Sequence, residues 1–144
     1  MPMIDIYATA GTFADPQALA QAAATTVMEV EKVPNIPMFR QNTAGFVHEL
    51  PAGHQSNVDG GEDHVRVQVL TNAGALSREQ QLEVVERLSS LVAEHAGNPE
   101  LAKRTWVLLT EAAAGGWGLW GHAHTNEELI GAAREEIGRL SAGA

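Results

Sequence analysis

Apolar and polar residues alternate along two stretches of the chain, and this pattern predicts two similar β-strands. The first strand runs from Met3 to Thr9, with Ile4 and Ile6 on one face. The second begins at Val65 and alternates valines with polar residues as far as Val69. Gly-containing turns follow both strands, so each strand is expected to begin a new unit.

An amphipathic helix is predicted after each of these strands. Asp15 and Pro16 are typical of an N-cap followed by proline at the first helical position, and Ser77 to Gln80 form a capping box. The predicted buried stripes are Leu19, Ala22, Ala23, Val27 and Val30 in the first helix, and Leu82, Val85, Leu88, Leu91 and Val92 in the second. Further strands are predicted at residues 43–50 and 105–111.

The two halves therefore repeat one β-α-β unit, at residues 2–53 and 64–121, with a period of about 62 residues. Right-handed crossovers would join them into a four-stranded sheet with both helices on one face. The predicted fold class is α/β, or α+β in some schemes, in a single domain spanning residues 1–144. A third capping box, Thr125 to Glu128, predicts a C-terminal helix at 125–141, with the apolar positions Leu129, Ile130, Ala133, Ile137 and Leu140.

The second face of such a sheet would be left bare by this chain. The strand containing Trp106 to Leu109 is apolar on both sides, so the uncovered face is expected to be buried by other copies of the chain. We therefore expect a homo-oligomer.

Composition narrows the choice of partners and compartment. With 9 Lys plus Arg against 18 Asp plus Glu, the net charge is −9, which repels phosphate backbones and anionic membranes. The chain has no cysteine, which excludes disulfides and thiolate catalysis. It also has neither a signal-peptide pattern nor an apolar run of about 18 residues. We expect a cytoplasmic protein that binds neither nucleic acid nor membranes.

Pro2 is the first candidate for chemistry. Removal of Met1 would make its nitrogen a secondary amine anchored at the start of a strand. An α-amino group has a reference pKa of about 7.7 to 8.0, which an apolar pocket lowers towards the range that suits a general base.

The chain resembles the tautomerase superfamily, whose members use an N-terminal proline and consist of β-α-β units. The resemblance rests on Pro2, on Gly11 after the first strand, and on residues 107–111 followed by the Gly-rich hairpin 115–121. The chain's length is similar to that of fused members, so the resemblance implies a homotrimer in which Trp117 walls a pocket around Pro2.

Several arginines of characterised members are missing from this chain. Thr12, Ala44 and Trp106 stand where 4-oxalocrotonate tautomerase carries arginines or their repeat equivalents, and Asn72 and Ala75 replace an arginine pair of the fused dehalogenases. Asn72 or Arg40 is expected to hydrogen-bond a developing enolate or the carboxylate of the substrate. Arg40, delivered by a neighbouring subunit, or Arg66 is expected to bind a carboxylate.

No cofactor and no metal ion are predicted. His122 and His124 would point the same way on a strand, as metal ligands can, but no third ligand has a useful spacing in the sequence. His48 is a candidate acid-base partner or a structural histidine. The chain has no G-x-S-x-G motif, and its glycines lack the Lys-Ser/Thr sequel of a phosphate loop.

The predicted function is a tautomerase-type isomerase acting on a small keto-enol carboxylic acid, with Pro2 as the general base. In one alternative, a protonated Pro2 acts as a general acid in a decarboxylase or in a hydratase or dehalogenase-like enzyme. In another, the chain is a non-catalytic trimeric binding module of the same fold.

Overall fold

The computed structural model describes residues 1–143, and its elements follow the predicted order closely. The strands are β1 (Met3–Thr9), β2 (Ala44–Leu50), β3 (Val65–Thr71), β4 (Thr105–Glu111), β5 (Trp117–Leu119) and β6 (His122–His124). The helices are α1 (Pro16–Glu31), α2 (Pro37–Gln41), α3 (Arg78–Ala96) and α4 (Asn126–Ala142), with a 3₁₀ helix at Pro99–Arg104. None of the helices within residues 1–143 is long and apolar enough to cross a membrane.

The main sheet has four strands in the order β2-β1-β3-β4. β1 pairs in parallel with β2, β3 pairs in parallel with β4, and the two units meet through the antiparallel β1–β3 pair. Each parallel pair is connected by a helical crossover, α1 or α3. The predicted fold class is therefore confirmed, with two β-α-β units in one sheet and a C-terminal helix outside them.

The main core lies between this sheet and helices α1 and α3. Ile4, Ile6 and Val67 on the sheet are almost completely buried, as are Val27 and Leu88 on the helices. Both helices start as predicted. The Asp15 carboxylate accepts a hydrogen bond from the Ala18 amide at the start of α1, and Ser77 and Gln80 form a reciprocal capping box at the start of α3.

The predicted buried stripe of α3 is wrong at two positions. Leu82 is 55% exposed and Val85 is 36% exposed, whereas Val84, Leu88 and Val92 are buried. Val84, Leu88 and Val92 are four residues apart along one side of the helix, and that side faces the sheet and α1. The apolar residues of α3 therefore occupy a wider part of the helix surface than the sheet and α1 cover.

Residues 1–143 leave much of the opposite face of the sheet uncovered, although Met3 and Leu70 at one end of it pack against a smaller second core. Phe46, Trp106 and Leu108 on this outer face are 44–48% exposed. On the same face His48 Nε2 lies 2.6 Å from Asp5 Oδ1, and the His48 ring stacks on Tyr7 at 4.3 Å between centroids. The face thus combines exposed aromatic surface with a polar cluster.

A smaller second core lies under α4. It consists of Met1, Ile36, Met38, Trp117, Leu129 and Ala133. The Met38 amide donates a 3.0 Å hydrogen bond to Glu136 of α4, and the Asn126 side chain donates a 2.9 Å bond to the Ala73 carbonyl. These contacts hold α4 over the N-terminus of the chain, away from the main core.

We predict that Gly45→Ala destabilises the protein. A Cβ atom at Gly45 would lie 2.4 Å from the Ala20 carbonyl oxygen, because β2 and α1 approach closely there. Relieving this clash is expected to cost about 1–3 kcal/mol of unfolding free energy, measured by urea denaturation. Gly138→Ala is the control, since a Cβ there meets nothing within 4 Å and removes a helical glycine. Equal stability of the Gly45 variant and the parent would contradict the observed packing.

Candidate functional site

The N-terminus of the chain is buried. Met1 is 2% exposed and Pro2 is less than 2% exposed, where the chain enters β1. The Pro2 carbonyl accepts a 3.2 Å hydrogen bond from the Ala44 amide, which continues the β1–β2 pairing back to Pro2. The sheet itself therefore fixes the position of Pro2.

The Met1 amine faces the carboxylate of Glu31, the last residue of α1. The amine nitrogen lies 3.4 Å from Glu31 Oε2, and the two side chains are only 1% and 3% exposed. Burial lowers the pKa of the Met1 amine and raises the pKa of the Glu31 carboxyl, and the attraction between the two groups opposes both shifts without cancelling them. Relative to water, this environment shifts the equilibrium of each group in the direction of its uncharged form.

Both groups line a cavity of about 490 Å³ between α1, the β3–α3 turn and α4. Two buried polar atoms in its wall, Glu31 Oε1 and Asn72 Nδ2, have no hydrogen-bond partner among the described residues. Buried polar atoms are normally paired, so two unpaired ones in one cavity mark a place where water or a polar ligand can bind. Lys32 and Arg134, whose side chains are exposed, add positive charge to the lining.

The predicted site residues are only partly brought together. Asn72 lines the cavity, and Trp117, which is 6% exposed, belongs to the same buried cluster as Met1. Arg40 lines a different cavity, of about 690 Å³, beside α1 and the start of β2. Its guanidinium donates hydrogen bonds of 2.8 and 3.0 Å to the carbonyl and side-chain oxygens of Asn35. Arg66 lies on the outer face, 5.4 Å from the Tyr7 ring centroid.

Sequence reasoning missed Glu31 and Arg134. Glu31 lies four residues after the buried Val27, on the same side of α1, and directly after the buried Val30. It is therefore an acidic residue beside the buried stripe of this helix. That position was a usable signal. Arg134 gave none, because its place at the cavity depends on how α4 packs across the N-terminus.

His122 and His124 lie on β6, beside the first turn of α4. His122 Nε2 is 2.5 Å from Glu128 Oε2, and this hydrogen bond holds the pKa of the Glu128 carboxyl below its ordinary value. The His122 and His124 rings meet edge to face, with centroids 4.6 Å apart. Glu128 is a neighbour that the sequence spacing did not suggest.

The chain thus consists of two parallel β-α-β units joined in antiparallel fashion, with a proline at the head of the first strand. A family model described as tautomerase enzyme matches residues 64–126, which cover the second unit and the hairpin. This match confirms the resemblance to the tautomerase superfamily over residues 64–126.

Solved structures with the same fold superpose on most of the chain. Pt0534 inactivated by 2-oxo-3-pentynoate superposes with a TM-score of 0.72 at 22% identity, covering 88% of this chain and 98% of that one. N1, of the cis-3-chloroacrylic acid dehalogenase family, superposes with a TM-score of 0.70 at 19% identity, covering 91% of this chain and 90% of that one. The F6 fused 4-OT asymmetric trimer superposes with a TM-score of 0.70 at 18% identity, covering 88% of this chain and 98% of that one. A search of curated proteins found no match.

We predict that Glu31→Gln changes the pH dependence of stability. Folding raises the pKa of Glu31, so the native state binds this proton more tightly than the unfolded state. The contribution of Glu31 to stability is therefore full below its unfolded pKa and is lost as the pH rises through its folded pKa. The unfolding free energy of the variant, relative to the parent, should increase as the pH is raised from about 4 to 7.

Urea denaturation at several pH values measures this difference. Glu86→Gln, at an exposed position on α3, is the matched control and should follow the parent across the pH range. A Glu31 variant whose relative stability falls as the pH rises would contradict the direction of the shift.

Proposed function

We propose that this protein is a tautomerase-type isomerase in which Pro2, freed by removal of Met1, is the general base. The observation that carries the proposal is the buried amine beside Glu31, in a cavity with two unpaired polar atoms. Only the Cα and carbonyl carbon of Met1 separate its amine from the Pro2 nitrogen. Excision of Met1 would therefore leave the Pro2 amine facing the space that Met1 fills.

The surroundings of this amine suit a neutral base. The cluster around Met1 is apolar, with Trp117, Leu129 and Ala133 among its members. For the Met1 amine the effect of burial exceeds that of the Glu31 carboxylate, so its pKa is lowered. We expect the same balance at Pro2, which brings its pKa towards neutrality, where general-base catalysis is most efficient.

The proposed reaction moves one proton within a small keto-enol acid. Pro2 removes a proton from the carbon next to a carbonyl, or from an enol hydroxyl, and returns it at another carbon, so substrate and product are isomers. The Asn72 amide and a protonated Glu31 donate hydrogen bonds to the oxygen that becomes negative. A carboxylic acid kept neutral by burial can act as such a donor at pH 7.

Arg134 and Lys32 are proposed to bind the carboxylate of the substrate. Both line the cavity that contains Met1, Glu31 and Asn72, and both are charged groups at the solvent-exposed part of its wall. They would supply positive charge in place of the arginines that this chain lacks. Arg40 keeps its proposed role only if a second copy of the chain brings it to the cavity.

Self-association is part of the proposal. The outer face of the sheet exposes Phe46, Trp106 and Leu108, and their burial would stabilise an assembly. The F6 fused 4-OT structure, which has the same fold, is a trimer. We therefore propose a homotrimer with the outer faces of the sheets turned towards one another.

One observation also favours the general-acid alternative. The Glu31 carboxylate lies within ion-pair distance of the N-terminal amine, and a nearby negative charge stabilises a protonated Pro2. A protonated proline would suit decarboxylation or hydration. An NMR titration of the Pro2 nitrogen separates the two proposals, since a pKa well above 8 would contradict the general base.

We predict that Pro2→Ala lowers kcat/KM for the ketonisation of enol-phenylpyruvate by about 10²- to 10⁴-fold, the usual contribution of a positioned base. Intact mass must first show that Met1 is absent from parent and variant. Pro51→Ala, at an exposed position after β2, is the matched control and should keep the parent's activity. Equal rates for parent and Pro2 variant would exclude Pro2 as the base.

We predict that Arg134→Ala raises KM for a carboxylate substrate by about 10- to 100-fold, because a charge-assisted hydrogen bond is lost. The value of kcat should change much less, since Arg134 does not contact the reacting atoms in this proposal. Arg139→Ala, on the same helix and outside the cavity lining, is the control. An effect confined to kcat, or the same effect in both variants, would count against carboxylate binding at Arg134.

A further inference from the structure

We propose that His122, His124 and Glu128 form a binding site for a divalent transition-metal ion of the zinc type. The site joins the β5–β6 hairpin to the first turn of α4. One ligand atom from each of the three residues lies within 4.8 Å of the other two. Two imidazole nitrogens and one carboxylate oxygen are a common ligand set for zinc and similar ions.

The hairpin turn places both histidines on one side of β6. Leu119 pairs with His122 and Trp117 pairs with His124, which leaves Trp120 and Gly121 as the turn. Both turn residues have positive φ, 54° at Trp120 and 73° at Gly121, as a tight two-residue hairpin turn requires. A bulky residue such as tryptophan adopts this conformation only at a cost, so the hairpin geometry is strongly determined by its surroundings.

Protein groups orient two of the three ligands from behind. His124 Nδ1 lies 3.4 Å from the Trp117 carbonyl oxygen, which directs its N–H there and leaves Nε2 as a lone-pair donor. The Thr125 hydroxyl donates a 3.3 Å hydrogen bond to Glu128 Oε1, which leaves Oε2 directed to His122. Outer contacts of this kind are typical of metal ligands in proteins.

The spacing of the ligand atoms suits an ion placed between them. Zinc bonds to nitrogen and oxygen of about 2.0–2.2 Å place neighbouring tetrahedral ligands roughly 3.3 Å apart. The His122 Nε2 to Glu128 Oε2 distance is 2.5 Å, and every pair is within 4.8 Å, so small side-chain rotations reach that spacing. The His122 and Glu128 side chains are 60% and 44% exposed, which leaves room for water as the remaining ligand.

Metal binding at this site does not depend on the proposed catalysis and is tested without an activity assay. The untagged full-length chain is titrated with Co²⁺, followed by its visible absorption, and Zn²⁺ is then added as a competitor. We expect saturable binding of one Co²⁺ per chain and its displacement by Zn²⁺. The absence of a saturable spectrum, or binding that Zn²⁺ does not displace, would overturn the proposal.

Single substitutions test the ligand assignment. His124→Ala, His122→Ala and Glu128→Gln are each expected to weaken Co²⁺ binding at least tenfold, whereas His54→Ala, on an exposed loop, should bind as the parent does. Zn²⁺ should raise the melting temperature of the parent and the His54 variant, and not that of the ligand variants. If His124→Ala fails to fold, the Co²⁺ affinities of the His122 and Glu128 variants, both at exposed positions, test the site. Unchanged binding in those two variants would refute the site.

Discussion

The burial of the chain's first two residues is the constraint on which the rest of this structure depends. An N-terminal amine is charged and normally lies in water, yet the Met1 nitrogen is enclosed with a carboxylate that is also buried. Removing two such groups from water is costly. Burial therefore lowers the pKa of the amine and raises the pKa of the carboxyl. The fold keeps them there because the Pro2 carbonyl, just before β1, pairs with the Ala44 amide of β2, and because α4 packs over the same point.

This arrangement also explains why loss of Met1 would create a site. The Met1 side chain belongs to the smaller core with Trp117 and Leu129, and its amine is the partner of Glu31. Excision would leave an apolar space next to a carboxyl group without its partner. A ligand with an oxygen that accepts a hydrogen bond would restore that contact, and Asn72 Nδ2 offers a second donor.

Most of the main sheet could be predicted from the sequence, because strand alternation and helix caps are local signals. β1 and β4 have the predicted bounds, and α1, α3 and α4 begin after the predicted caps. The helix faces were predicted less well, since Leu82 and Val85 satisfy the helical period and are nevertheless exposed. Periodicity shows that a helix has an apolar side, whereas the packing of α3 on α1 and the sheet decides how much of that side is covered.

The candidate site could be predicted only where its residues belong to the β-α-β units. Pro2, Asn72 and Trp117 could be inferred because they lie at strand ends or in the hairpin that the resemblance covers. Arg134 and Glu128 could not, because they reach their neighbours through the packing of α4, which lies mostly outside the repeated units. The cavity residues around Arg134 are distant in the chain, so no local pattern connects them to it. Glu128 lies only six residues after His122, and its place beside the histidines depends on the turn from β6 into α4.

α4 is therefore the element that connects the hairpin, the smaller core and the cavity. Its first turn supplies Glu128 to the two histidines of the hairpin, and Leu129 and Ala133 pack in the core that contains Met1. One residue after Ala133, Arg134 lines the cavity. At 1.5 Å per residue these positions span about 9 Å of helix axis. Because the helix is rigid over so short a distance, an ion that fixed Glu128 to the hairpin would also restrict the movement of Arg134 relative to Trp117 and the N-terminus.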